Sequence, residues 1–125
     1  MKVYDVVFRG KRKDNDKWIQ GYLFISCEKH YILWGTTNGI PDMIEVIPET
    51  VGQWTKLEDK NKVKIFEGDI LSKENYWKLV AEYQRIMPLN EVQYNNSKGI
   101  SINGFSAEYW EVIGNIHDNK ELMER

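Results

Sequence analysis

Short runs of β-branched and aromatic residues, separated by polar turn signals, organise this chain. The runs are Val3-Tyr4-Asp5-Val6-Val7-Phe8, Lys17-Trp18-Ile19-Gln20-Gly21-Tyr22-Leu23-Phe24-Ile25, Tyr31-Ile32-Leu33-Trp34, Met43-Ile44-Glu45-Val46-Ile47 and Tyr109-Trp110-Glu111-Val112-Ile113. Between them fall Lys13-Asp14-Asn15-Asp16, Thr37-Asn38-Gly39, Asp59-Lys60-Asn61-Lys62, Asn95-Asn96-Ser97-Lys98-Gly99 and Asn103-Gly104. Short β-type runs punctuated by such turn signals predict a small, mainly all-β fold. Branched and aromatic side chains suit its strands because they fit the pleat and pack against cross-strand neighbours.

Three stretches are less uniform. Residues 72–86 place Tyr76, Val80 and Tyr83 at near-helical spacing, while Trp77, Leu79, Ala81 and Tyr83 alternate at period two, so periodicity leaves helix and strand both open. Asp118-Asn119-Lys120-Glu121 has the spacing of a capping box, and Leu122-Met123 would anchor a short closing helix. An internal echo relates Lys17-Trp18-Ile19-Gln20-Gly21-Tyr22-Leu23 to Lys64-Ile65-Phe66-Glu67-Gly68-Asp69-Ile70. It is read as two similar β-bends, each using glycine for a positive φ or a bulge.

Composition narrows the class. At 125 residues the chain has the size of one domain, and 42% hydrophobic with 13% aromatic content is too rich for a disordered one. A net charge of -2 supplies no global field toward nucleic acid or an anionic membrane, leaving only local patches to act. No apolar run approaches the roughly 20 residues that span a bilayer, and Met1-Lys2 leads into mixed sequence and not a signal peptide. One cysteine, Cys27, cannot form an internal bridge. These features set the expectation of a soluble, cytoplasmic protein.

Candidate chemistry is sparse. Glu67-Gly68-Asp69 puts two carboxylates close enough to hold a hard cation or exchange protons, the basis of a metal-dependent enzyme reading. A Gly-Asp step into a strand, with Asp bonding nearby N–H groups, is the favoured structural reading. Cys27-Glu28-Lys29-His30 has the spacing of half a zinc site, but only His117 is left to add, and four ligands are required. Here the alternative is a partly buried thiol and a surface imidazole. No glycine-rich phosphate loop is present. The segment Arg9-Gly10-Lys11-Arg12-Lys13, with Lys17 beyond it, is the best candidate for phosphate contacts. Trp18 and Tyr22 would add stacking faces if exposed, and Asp14 and Asp16 dilute the charge. Trp18, Trp34, Trp54, Trp77 and Trp110 are more than one small barrel usually encloses, so one or two are expected to anchor a protein partner or a second copy.

Five ordered segments add a resemblance: Phe8-Arg9-Gly10-Lys11, Trp18-Ile19-Gln20-Gly21-Tyr22-Leu23, Ile47-Pro48-Glu49-Thr50-Val51-Gly52-Gln53-Trp54-Thr55, Ile65-Phe66-Glu67-Gly68-Asp69-Ile70 and Glu111-Val112-Ile113-Gly114-Asn115-Ile116. Together they resemble the YopX family of small phage and prophage proteins over almost the full length. The resemblance implies a single domain over 1–125, with an N-terminal β lobe over about 1–49, an SH3-like barrel over about 50–125 and no established activity. Glu49, Gly52, Glu67, Gly68, Asp69 and Gly114 are then structural motif positions, and residues 77–84 lean toward strand. Lys120 stands where the family commonly has proline, and residues 86–100 are less regular than its usual hairpin. The expected function is a non-enzymatic phage accessory protein that binds itself or a host or phage protein, with no cofactor, small-molecule substrate or membrane. A nucleic-acid module using residues 9–17 is the alternative.

Overall fold

The computed structural model describes residues 7–74, 77–82, 85–88 and 100–123. The expected strand over residues 3–6, the turn at 95–99 and most of the irregular stretch after Ile86 lie outside the described residues. Two compact units divide the chain, residues 1–54 and 55–125.

In the first unit β1 (Phe8–Lys11), β2 (Trp18–Ser26), β3 (Lys29–Thr37) and β4 (Ile40–Val46) follow one another as an antiparallel meander, and β5 begins at Gly52. The hairpin between β3 and β4 turns at Asn38-Gly39, both at positive φ, the demand of a two-residue primed turn. That between β2 and β3 turns at Cys27-Glu28 with φ of 51° and 67°. Neither residue is one that this backbone favours. At the far end of the meander, Arg12 bridges Val46, Lys13 N–H donates to the Glu45 carbonyl at 3.0 Å and Ile47 N–H to the Lys11 carbonyl at 2.9 Å. Thr50 Oγ1 reinforces this end by accepting from Lys11 N–H at 2.9 Å and donating to the Ile47 carbonyl at 2.6 Å. Ile32 and Val46 are the buried hydrophobic side chains of the unit among the described residues. A Cβ at Gly10 would stand 3.0 Å from Val46 Cβ, so the missing side chain is what admits this contact.

The second unit takes the rest of β5 (Gly52–Glu58), then β6 (Lys64–Phe66), β7 (Asp69–Lys73), β8 (Trp77–Glu82), β9 (Arg85–Pro88), β10 (Ile100–Ser101) and β11 (Glu111–Asn115). Strand orders are β4-β3-β2-β1-β5-β6 and β10-β9-β8-β7-β11. Each has two edges, so the architecture shown is a mainly β chain of two antiparallel sheets. Ile65, Leu71, Ala81, Ile86, Ile102 and Ala107 form the buried core of the second unit, with Leu57, Leu79, Phe105, Trp110 and Val112 packed against it.

Within the ambiguous stretch 72–86 the structure describes a strand over Trp77–Glu82. Ile70 lies opposite Val80 and Val80 opposite Met87, so long-range pairing selects strand where local spacing fitted either form. The echo does not describe two similar bends. Gly68 is at φ 91° in the two-residue turn that leads from β6 in one sheet to β7 in the other, whereas Gly21 lies within the continuous strand β2. A Cβ at Gly21 would collide with the Leu33 carbonyl oxygen, so that glycine serves close approach and not a turn. The closing helix is a 3-10 turn, Lys120–Met123. Asn119 Oδ1 ahead of it accepts from Asn115 N–H at 3.0 Å, and a Cβ at Gly114 would strike the same Asn119 side chain.

Candidate binding face and the acidic turns

The carboxylates of the acidic turns hold backbone. Asp59, 3% exposed, accepts through Oδ1 from Asn61 and Val63 N–H at 2.7 and 3.0 Å and through Oδ2 from Val112 N–H at 2.9 Å. Asp69, 2% exposed, accepts from Phe66 N–H at 2.7 Å across the Glu67-Gly68 turn. Such bonds replace the hydration that a buried carboxylate loses. Half-buried Glu82 on β8 has its carboxyl pushed up, first by burial and then by the charge of Glu67. Among the described residues no three His, Cys, Asp or Glu side chains gather to hold a metal ion.

Two expectations at the half-zinc motif are reversed. Cys27 is exposed at its hairpin tip, with Ser26 Oγ at 3.9 Å from its Sγ. His30 is half-buried, its Nδ1 enclosed and without a hydrogen bond among the described residues, because the register places it opposite Ile25 and Val46 on the inner side of the meander. His117 N–H is tied to Asn115 Oδ1 at 2.9 Å, in the turn that follows β11.

The basic stretch splits in two. Directly opposed residues share a sheet face, and side chains alternate along each strand. Arg9 faces Gln20 and Lys11 faces Trp18. The same alternation along β2 carries this face to Tyr22 and Phe24, which lie opposite Leu33 and Tyr31, and β3 passes it to Met43 and Glu45. The Arg9 guanidinium stands 4.5 Å over the Trp18 ring and the Lys11 ammonium 5.9 Å from it. Tyr22 is 39% and Phe24 48% exposed, and the Phe24 and Tyr31 rings are 6.2 Å apart and tilted. Arg12 and Lys13 are engaged elsewhere. Arg12 binds Asp14 with two nitrogens at 3.0 and 2.8 Å, which holds the Asp14 carboxyl below its ordinary value, and Lys13 Nζ meets Glu45 at 3.2 Å. Lys17 is exposed in the turn, its N–H donating to Asn15 Oδ1.

Of the predicted contact residues, Arg9, Lys11 and Trp18 therefore come together, while Arg12, Lys13 and Lys17 belong to the turn. Sequence reasoning did not foresee that Phe24, Tyr31, Leu33 and Met43 continue the face. Among the motif positions, Gly52 is buried opposite Arg9, Gly68 supplies the positive φ of its turn, and Glu49 is exposed in the 3-10 turn Pro48–Thr50.

A family model described as YopX protein matches residues 7–124. No curated protein matches the chain. Among the described residues no helix is long and apolar enough to cross a membrane.

Proposed function

Because the chain belongs to the YopX family, a membership that assigns no activity, we propose a non-enzymatic binding module that meets a macromolecule through the outer face of β1–β4. The observation that carries the reading is the row Trp18, Tyr22, Phe24 with Tyr31 and Leu33 beside it, aromatic and apolar groups on a side of the sheet that includes exposed rings. Exposed apolar groups gathered on one water-facing side of a sheet mark an interaction surface. The non-enzymatic part is supported by Asp59 and Asp69, whose carboxylates are occupied by backbone N–H groups. The phage or prophage setting, a cytoplasmic location and an SH3-like barrel within residues 50–125 complete the proposal. The barrel is supported by the short antiparallel strands β7, β8 and β9, each paired with the next.

The test compares immobilised wild-type protein with a Tyr22→Ala/Phe24→Ala variant, both exposed to bacterial lysate with and without nuclease. The face predicts material retained by the wild type and lost by the variant, with circular dichroism unchanged. Identical retention by the two proteins would sink the reading.

A further inference from the structure

We infer that the ligand of this face is a single-stranded nucleic acid, an inference that rests on the binding-module reading above. The face is chemically graded. Arg9 and Lys11 with Trp18 form one end, Tyr22, Phe24 and Tyr31 continue it, and Lys29, opposite Ser26, lies at the other end. Of the positions that the register places here, Glu45 alone is acidic, and its carboxylate is bound to Lys13. Cations at both ends of an aromatic row complement a ligand that alternates anionic groups with flat rings. That is the composition of an unpaired strand, whose bases stack on aromatic side chains while its phosphates meet Lys and Arg. A guanidinium lying over an indole extends the stacking platform.

Geometry selects the single strand over the duplex. From Trp18 to Phe24 the extended chain covers about 20 Å at ~3.3 Å per residue, enough for several splayed nucleotides. In a duplex the bases are stacked on one another and cannot reach rings lying on a sheet. Charge sets the strength. Residues 1–54 contain seven Lys or Arg and seven Asp or Glu, so no long-range field assists, and binding draws on two or three local phosphate contacts. For a single strand these imply a log–log salt slope of about -1.4 to -2, or roughly 7- to 20-fold weaker binding at 200 mM than at 50 mM salt.

The experiment is fluorescence anisotropy with labelled 12-nucleotide DNA and RNA strands and a matching duplex, titrated with the full chain at both salt concentrations. Expected are binding to the single strands with that salt dependence, a duplex at least about tenfold weaker, and roughly 5- to 100-fold losses for Phe24→Ala and Tyr22→Ala. Tyr109→Ala, which removes an exposed ring of the second unit, should change nothing. No binding at about 100 µM protein, equal binding of the duplex, or indifference to both face substitutions would overturn the nucleic-acid assignment. The same variants in sedimentation velocity and in lysate capture separate the two readings. Loss of self-association or of a nuclease-resistant protein in the double variant would keep the binding face and discard only the strand. No face-dependent contact of any kind would discard both.

Discussion

The two units of this chain solve different problems with similar strands. Among the described residues the second buries ten hydrophobic side chains, from Ile65 to Ala107, and anchors its turns with enclosed carboxylates. The first buries Ile32 and Val46 and leaves Tyr22, Phe24, Ile25, Trp34, Ile40 and Met43 in contact with water. Where apolar area is removed from water it stabilises at roughly 25 cal/mol per Å². Where rings stay exposed that contribution is still available to a partner. The contrast teaches that aromatic content is no measure of core: among the described residues the second unit buries the ring of Phe66 within a mostly aliphatic set and exposes Tyr109, whereas the first buries no ring and exposes Tyr22, Phe24 and Trp34.

The contrast can be broken by substitution. Asp59→Ala should have the largest effect, because it strips a buried acceptor from Asn61, Val63 and Val112 N–H together. A loss of about 3–5 kcal/mol in urea unfolding is expected, and a loss below about 1 kcal/mol would mean that the turn is held by other means. Gly21→Ala should cost about 1–3 kcal/mol by driving a methyl into the Leu33 carbonyl, unless β2 and β3 shift apart. Replacing Cys27-Glu28 with Asn-Gly should stabilise by about 1–2 kcal/mol, since both residues sit at positive φ in a two-residue hairpin. Unchanged stability would show that the strain is relieved elsewhere.

Two smaller effects sharpen the comparison. Folded Glu82 holds its proton to higher pH than the unfolded chain does, so the folded state binds more protons and stability falls as pH rises through its folded value. Glu82→Gln should therefore raise the melting temperature at neutral pH by roughly 1–3 °C and flatten its fall between acid and neutral pH. A lower melting temperature would contradict the burial argument. Phe24→Ala should lie within about 0.5 kcal/mol of wild type, and a larger cost would place that ring in a core and not on a binding face.

Much of the strand pattern was readable because β-branched runs and turn residues act locally. Thr37-Asn38-Gly39 and Asp59-Lys60-Asn61-Lys62 fold as their chemistry demands. Cys27-Glu28 carried no turn signal, for neither residue favours a positive φ, and the hairpin is imposed by the pairing of β2 with β3. Residues 77–82 needed partners on both sides to become a strand. The candidate face was half legible. Arg9, Lys11 and Trp18 are close in sequence, but Ile19, Leu23 and Ile25 are as apolar as Trp18, Tyr22 and Phe24, so composition cannot say which parity faces water. Lys13 meets a glutamate 32 positions away, a distance at which local pattern carries no information.

The Asp59 carboxylate also sets an order in time. One of its oxygens serves its own turn, and the other serves Val112, 53 positions further along. A ribosome adding about 5–20 residues per second would supply that last donor some seconds after Trp54, whose N–H bond to the Val7 carbonyl is among the final pairings of the first unit. The meander with its aromatic face therefore has all its pairing partners while the anchor of the second unit is still half made.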